Sequence, residues 1–129
     1  MAYENLIRLA EVMNKLRSPG GCPWDAEQTH ASLLKYLLEE SYEFIESVES
    51  GNRQDMREEL GDILLQVYFH SRIAEEDSAD PFTVDDVAKA VTDKLISRHP
   101  HVFADTKVDS SPMYLKIGSV LNVKKKVDP

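Results

Sequence analysis

The sequence predicts an all-α fold, a bundle of about four helices around a central antiparallel helix hairpin. Three observations predict it. Apolar residues recur at helical spacings of three and four in four separate stretches. Those stretches are divided by strong breakers: Ser18-Pro19-Gly20-Gly21, Gly51-Asn52, the polar loop Asp77 to Phe82, and Pro100. No stretch shows the apolar–polar alternation of a half-buried strand.

The first helix is expected over Ala2 to about Arg17, with Leu6, Leu9, Ala10, Met13 and Leu16 on its apolar side. Cys22-Pro23-Trp24-Asp25 continues the following loop, and Asp25 with Gln28 resembles a capping box that starts a helical turn. A long helix is expected from about His30 to Ser50. Its stripe is Leu33, Leu34, Leu37, Leu38, Phe44, Ile45 and Val48, and Gly51-Asn52 stops it. The next runs from Gln54 to about Glu76 and buries Met56, Leu60, Ile63, Leu64, Val67, Tyr68 and Ile73. So short a turn packs these two as an antiparallel hairpin. Thr83 with Asp86 opens a fourth helix, with Val84, Val87, Ala88, Val91, Leu95 and Ile96 facing inward. It ends before Pro100, because the residue before a proline disfavours the α region. Ser111-Pro112 is placed to begin a short helix through Val120, and Lys124-Lys125-Lys126 reads as a solvated tail.

Composition limits the function classes. The chain has 129 residues, with 15 Lys and Arg against 23 Asp and Glu, a formal net charge of −8. That length suggests one domain with enough chain to bury a core. The hydrophobic share of 42% and charged share of 29% are those of a globular protein rather than a disordered one. No apolar run approaches a membrane span, and the first residues lack the basic start and apolar centre of a signal peptide. A cytoplasmic location and no membrane partner are therefore expected. Single Cys22 excludes an intrachain disulfide and a multi-cysteine zinc site. The acid excess argues against a nucleic-acid polymer as partner.

The acids are concentrated on the two central helices. One carries Glu39-Glu40-Ser41-Tyr42-Glu43, the other Glu58-Glu59-Leu60-Gly61-Asp62. Residues three or four apart share a helix face, so Glu40 pairs with Glu43, and Glu59 with Asp62. In an antiparallel pair these two steps meet across the interface, beside the apolar stripe rather than opposite it. Burying unpaired carboxylates costs several kcal/mol per group. A divalent hard cation with oxygen ligands offsets that, and Mg²⁺ fits better than Zn²⁺ because no thiolate or histidine pair lies nearby in sequence. His30, His70, His99 and His101 do not form a metal-spaced set. An acidic helix face that is simply solvated is the bland alternative. Gly61, which costs about 1 kcal/mol relative to Ala inside a helix, suggests a packing or site reason for its small size.

These residues resemble a known family. Glu39-Glu40-x-x-Glu43, fifteen intervening residues and Glu59-x-x-Asp62 are similar to the EExxE…ExxD signature of MazG-type nucleoside triphosphate pyrophosphohydrolases, all-α NTP pyrophosphatases. Cys22-Pro23-Trp24-Asp25, Gln28-Thr29-His30, the run Glu58 to Val67, and Asp93 to Phe103 match it as well. The resemblance covers about Leu6 to Phe103. It implies a catalytic module over residues 1–103 and a divergent tail over 104–129. It implies hydrolysis of a nucleoside triphosphate to the monophosphate and pyrophosphate, with Mg²⁺ as cofactor, Mn²⁺ as a substitute, and a homodimer or larger assembly. By position, Glu40, Glu43, Glu59 and Asp62 correspond to the metal ligands. Glu39 corresponds to an accessory ligand or the group that orients the attacking water. Lys94 and Arg98, four residues apart, correspond to the basic pair that meets the triphosphate. Trp24 either stacks on the base or anchors its loop. The chain departs from the family pattern after Phe103. An Asn-Trp pair is usual there, whereas this chain reads Ser110-Ser111-Pro112-Met113-Tyr114.

Two further readings compete. A non-catalytic nucleotide-binding or regulatory helical dimer would keep the fold without turnover. A di-iron carboxylate bundle needs Glu-x-x-His steps, which neither Glu40 nor Glu59 begins. Tyr3, Leu6, Ile7, Val12 and Met13 exceed what one face of the first helix needs, so a homodimer is expected to cover the surplus.

Overall fold

The computed structural model describes residues 2–104, which contain helices and no strand. In chain order these are α1 (Glu4–Arg17), α2 (Pro23–Glu27), α3 (His30–Ser50), α4 (Arg53–Ala74), α5 (Val84–Arg98) and α6 (Pro100–Phe103). The expected four long helices are present, with the short turn expected after Cys22 forming α2 and one further turn, α6, added. The helix placed from Ser111 lies outside the described residues. The chain divides into one unit through Val87 and another from Ala88.

The α3–α4 hairpin is made by its caps. Thr29 accepts from the Ser32 N–H, while Ser32 Oγ takes the Thr29 N–H, a reciprocal capping box that starts α3. At the far end Gly51 adopts φ 72°, a left-handed geometry that favours a residue without Cβ. Asn52 then caps α4, its side-chain oxygen accepting from the Gln54 and Asp55 N–H groups at 3.1 Å each.

The core lies at one end of the hairpin. Met13 of α1 and Leu33 of α3, each 1% exposed, pack with Tyr68 and Phe69 of α4. Burial of each such side chain contributes roughly 1.5–3 kcal/mol. Leu9, Ala10, Leu16, Tyr36, Leu64, Leu65, Ile73 and Val84 close around them. The Tyr68 hydroxyl donates to the Leu6 carbonyl at 3.1 Å, so a buried ring keeps its polar end satisfied. Met13 is thus a core residue and not part of the α1 surplus. Tyr3, Leu6, Ile7 and Val12 are exposed as that surplus requires. The hairpin stripes are less buried than periodicity suggests. Leu34, Leu38, Ile45, Val48 and Leu60 are about half exposed.

The loop after α1 is closed by backbone contact. The Cys22 N–H donates to the Leu16 carbonyl at 2.9 Å. A Cβ on Gly21 would lie 2.2 Å from the Lys15 oxygen and 2.4 Å from the Leu16 oxygen, so only glycine permits this approach. The helical turn that follows starts at Pro23, earlier than Asp25, with proline in the first turn and Cys22 at the N-cap. Gln28 is its C-cap rather than a capping-box partner. On α5, Thr83 and Asp86 cap each other as the sequence indicates.

Candidate metal centre

Four carboxylates converge on the hairpin. Glu40 and Glu43 come from α3, Glu59 and Asp62 from α4, and one oxygen of each lies within 4.8 Å of the others. Local chain geometry explains the convergence. A step of three residues keeps each pair on one helix face, and the short Gly51-Asn52 turn brings the faces together. Glu43 is exposed, and the other three are half-buried. Glu39 is exposed and not among the four.

The electrostatics of this cluster are unfavourable on their own. Glu40 Oε2 and Glu59 Oε2 are buried and have no hydrogen-bond partner. Desolvation, then repulsion from Asp62 and Glu43, pushes the Glu40 carboxyl up to about 7. Desolvation and the neighbouring Glu43 also raise Glu59. Two orphaned, desolvated carboxylate oxygens facing two further carboxylates make a hard-cation donor set. Oxygens sharing a Mg²⁺ ion at ~2.1 Å lie at most ~4.2 Å apart, so the four residues fit such an ion after small side-chain shifts. Gly61, between Glu59 and Asp62, has open space where a Cβ would stand. No packing among the described residues therefore requires a glycine there.

The other expected residues lie on other helices. Lys94 and Arg98 lie one turn apart on α5. Trp24, on α2, is 50% exposed and meets Tyr36 edge-on, with ring centroids 6.0 Å apart. Asp25 does not cap a helix through its side chain. Its backbone carbonyl accepts from Arg17 instead.

One pair escaped the sequence reading. His30, the first residue of α3, and His70 of α4 approach with Nδ1 atoms 2.8 Å apart and rings 5° from parallel. Facing atoms that close give a 5.1 Å centroid separation only if the rings lie edge to edge in one plane. One Nδ1 carries the shared proton and the other accepts it. Burial and the His30 charge lower the His70 pKa, and its Nε2 is buried without a partner. Forty residues separate the two histidines, so only the hairpin register could have revealed them.

Comparison with known proteins gives a consistent picture. The family model described as the MazG nucleotide pyrophosphohydrolase domain matches residues 28–103. The chain is 56% identical over 98 residues to the nucleoside triphosphate pyrophosphohydrolase/pyrophosphatase MazG of Thermotoga maritima, covering 76% of this chain and 38% of that protein. It is 46% identical over 105 residues to the nucleoside triphosphate pyrophosphohydrolase of Escherichia coli K12, covering 81% and 39%. An uncharacterized 26.1 kDa protein of Streptomyces cacaoi is 49% identical over 106 residues, covering 82% and 43%. The chain thus spans less than half the length of these curated relatives. A crystal structure of a mazG-related protein from Thermotoga maritima superposes with a TM-score of 0.65 at 25% identity, covering 92% of this chain and 97% of that one.

Proposed function

Because the chain belongs to the MazG nucleotide pyrophosphohydrolase domain family, we propose that it hydrolyses nucleoside triphosphates to the monophosphate and pyrophosphate, with water attacking the α-phosphorus. Glu40, Glu43, Glu59 and Asp62 hold Mg²⁺, for which Mn²⁺ is a substitute. The observation that supports this most is the convergence of the four carboxylates, two with orphaned buried oxygens.

A bound divalent cation supplies charge neutralisation and a more acidic water. The chain's own residues do the positioning. The hairpin holds the ligands in fixed register. Glu39, exposed and one residue before Glu40, orients the attacking water. Lys94 and Arg98 meet the triphosphate and stabilise the leaving pyrophosphate, Arg98 with two parallel donors. Trp24 offers its exposed ring to the base. The catalytic module is residues 1–103, with the tail beyond it.

A homodimer is part of the proposal. Leu34, Leu38, Tyr42, Ile45, Val48 and Leu60 expose large apolar area on the hairpin, as a partner surface does. Sedimentation at micromolar concentration should show two copies, and a lone monomer refutes this part. No described helix is long and apolar enough to cross a membrane.

The test is the product. Incubation with nucleoside triphosphates and Mg²⁺ should release pyrophosphate. Formation of the diphosphate and orthophosphate refutes attack at the α-phosphorus. Asp62→Asn should remove turnover while leaving the helical circular dichroism signal in place, and surviving activity refutes the metal assignment.

A further inference from the structure

Helix α2 is too small to be held by burial. It is one turn and a half long, and none of its side chains is buried. Yet it carries Trp24, whose half-exposed ring leans edge-on against Tyr36. Tyr36 is one turn before Glu40 on α3, so the residue that Trp24 meets shares a helix face with one of the four carboxylates.

What fixes α2 is Arg17, the last residue of α1. Its side chain is only 7% exposed. Nη1 donates to the Asp25 carbonyl at 2.7 Å and the Gln28 carbonyl at 2.9 Å, gripping the end of α2. Nε and Nη2 clasp the two Glu76 oxygens at 2.8 Å each. Glu76 is itself held by Arg72 at 2.9 Å, and Arg72 Nε donates to Asn14. The grip continues to Trp24. Gln28 Nε2 donates to the Trp24 carbonyl at 3.0 Å, and Ser32 Oγ donates to Gln28 Oε1 at 2.8 Å. The guanidinium thus joins α1, α2 and the end of α4 through one planar fork. A lysine ammonium, with three donors on one atom, cannot make the four bonds of this fork.

We propose that Arg17 is a positioning residue for nucleotide recognition: anchored on Glu76, it fixes α2 so that the Trp24 ring forms the stacking surface for the nucleobase. This rests on the reading that a nucleoside triphosphate binds at the carboxylate cluster. Stacking on an aromatic ring is worth about 5- to 150-fold in affinity and tolerates every base. Arg17 therefore governs the nucleoside half of the ligand and not the phosphate half. This contact favours no single base.

Trp24 is the chain's single tryptophan, so its fluorescence reports the platform directly. The probes are inorganic tripolyphosphate and an adenosine triphosphate analogue with a methylene group between its α- and β-phosphates, both with Mg²⁺. In the unaltered protein both should bind, and only the nucleotide should quench Trp24. Arg17→Lys should weaken the nucleotide about tenfold, reduce its quenching and leave tripolyphosphate affinity within twofold. Gln28→Ala should act in the same direction with the Arg17–Glu76 pair intact, which keeps the test available if Arg17→Lys unfolds. Equal losses for both probes make Arg17 merely structural and overturn the proposal. So does unchanged nucleotide binding in both variants. If the nucleotide displaces tripolyphosphate from the unaltered protein without altering Trp24, the platform is wrong while the triphosphate site stands. If neither probe binds, the functional reading fails along with the proposal.

Discussion

Replacing Glu40 by Gln should stabilise the metal-free protein. The substitution keeps the shape and removes one charge from a cluster whose oxygens lie within 4.8 Å of each other. Asp62 and Glu43 are the neighbours that repel Glu40 most. At that separation each pair costs about 1 kcal/mol in water-like surroundings, the fitting limit for half-exposed groups. Two pairs give about 2 kcal/mol, reduced to about 1–2 by relaxation of the side chains. For a chain of this size that is a rise of about 3–8 °C in melting temperature. The effect depends on pH. The Glu40 carboxyl rises from 4.5 to about 7 on folding, so the folded chain binds the proton more tightly than the unfolded one in between. This group's stabilising contribution is complete below pH 4.5 and is lost as pH rises through 7. Thermal melting in EDTA should therefore separate Glu40→Gln from the unaltered protein at pH 8 and bring them together at pH 4.5. Saturating Mg²⁺ should reverse the order at pH 8, because only the intact set gains binding energy, about 2.7 kcal/mol at a hundredfold excess over Kd. A variant that melts lower than the unaltered protein in EDTA at pH 8 refutes the reasoning.

Other perturbations have equally definite outcomes. Gly21→Ala places a Cβ 2.2 Å from the Lys15 oxygen, so denaturant unfolding should show a loss of about 1–3 kcal/mol. Gly61→Ala meets nothing within 4 Å and should stabilise α4 by up to ~1 kcal/mol. A loss of helicity or melting temperature counts against this. The lowered His70 pKa contributes stability that is complete above about 6.5 and lost as pH falls through the folded value, opposite in sign to Glu40. His70→Gln should flatten that acid limb of the melting profile, and an unchanged limb refutes it.

The helices were legible because their signals are local. The range His30 to Ser50 follows from a run of apolar spacings bounded by Gly51, and α3 has those bounds. The carboxylate cluster was legible for the same reason, since two three-residue steps and a two-residue turn specify it. Burial was not legible. Periodicity assigns Leu60 and Val48 to a buried face, yet which apolar positions are covered depends on what packs there, and these are about half exposed. The role of Arg17 was hidden for a related reason. Two of its bonds go to backbone carbonyls, which have no sequence signature, and its carboxylate partner is 59 residues away. The α2 boundary went wrong because Pro23 preorganises a first turn, which outweighed the cap reading at Asp25.

The position of the acids carries the functional argument further than their number. The buried apolar cluster of Met13, Leu33, Tyr68 and Phe69 lies at one end of the hairpin. The carboxylates lie farther along the hairpin, toward the Gly51 turn, where the apolar side chains Ile45 and Val48 remain open. A repulsion of about 1–2 kcal/mol is a large share of the 5–15 kcal/mol that stabilises a typical domain. Neutral residues of similar volume at Glu40 and Glu59 would relieve it without disturbing the packed end. An arrangement that departs from the most stable packing at one place is expected where a ligand supplies the missing energy. On the proposed metal reading, cation binding stabilises the hairpin, and a nucleotide that brings its own Mg²⁺ should tighten the fold it binds.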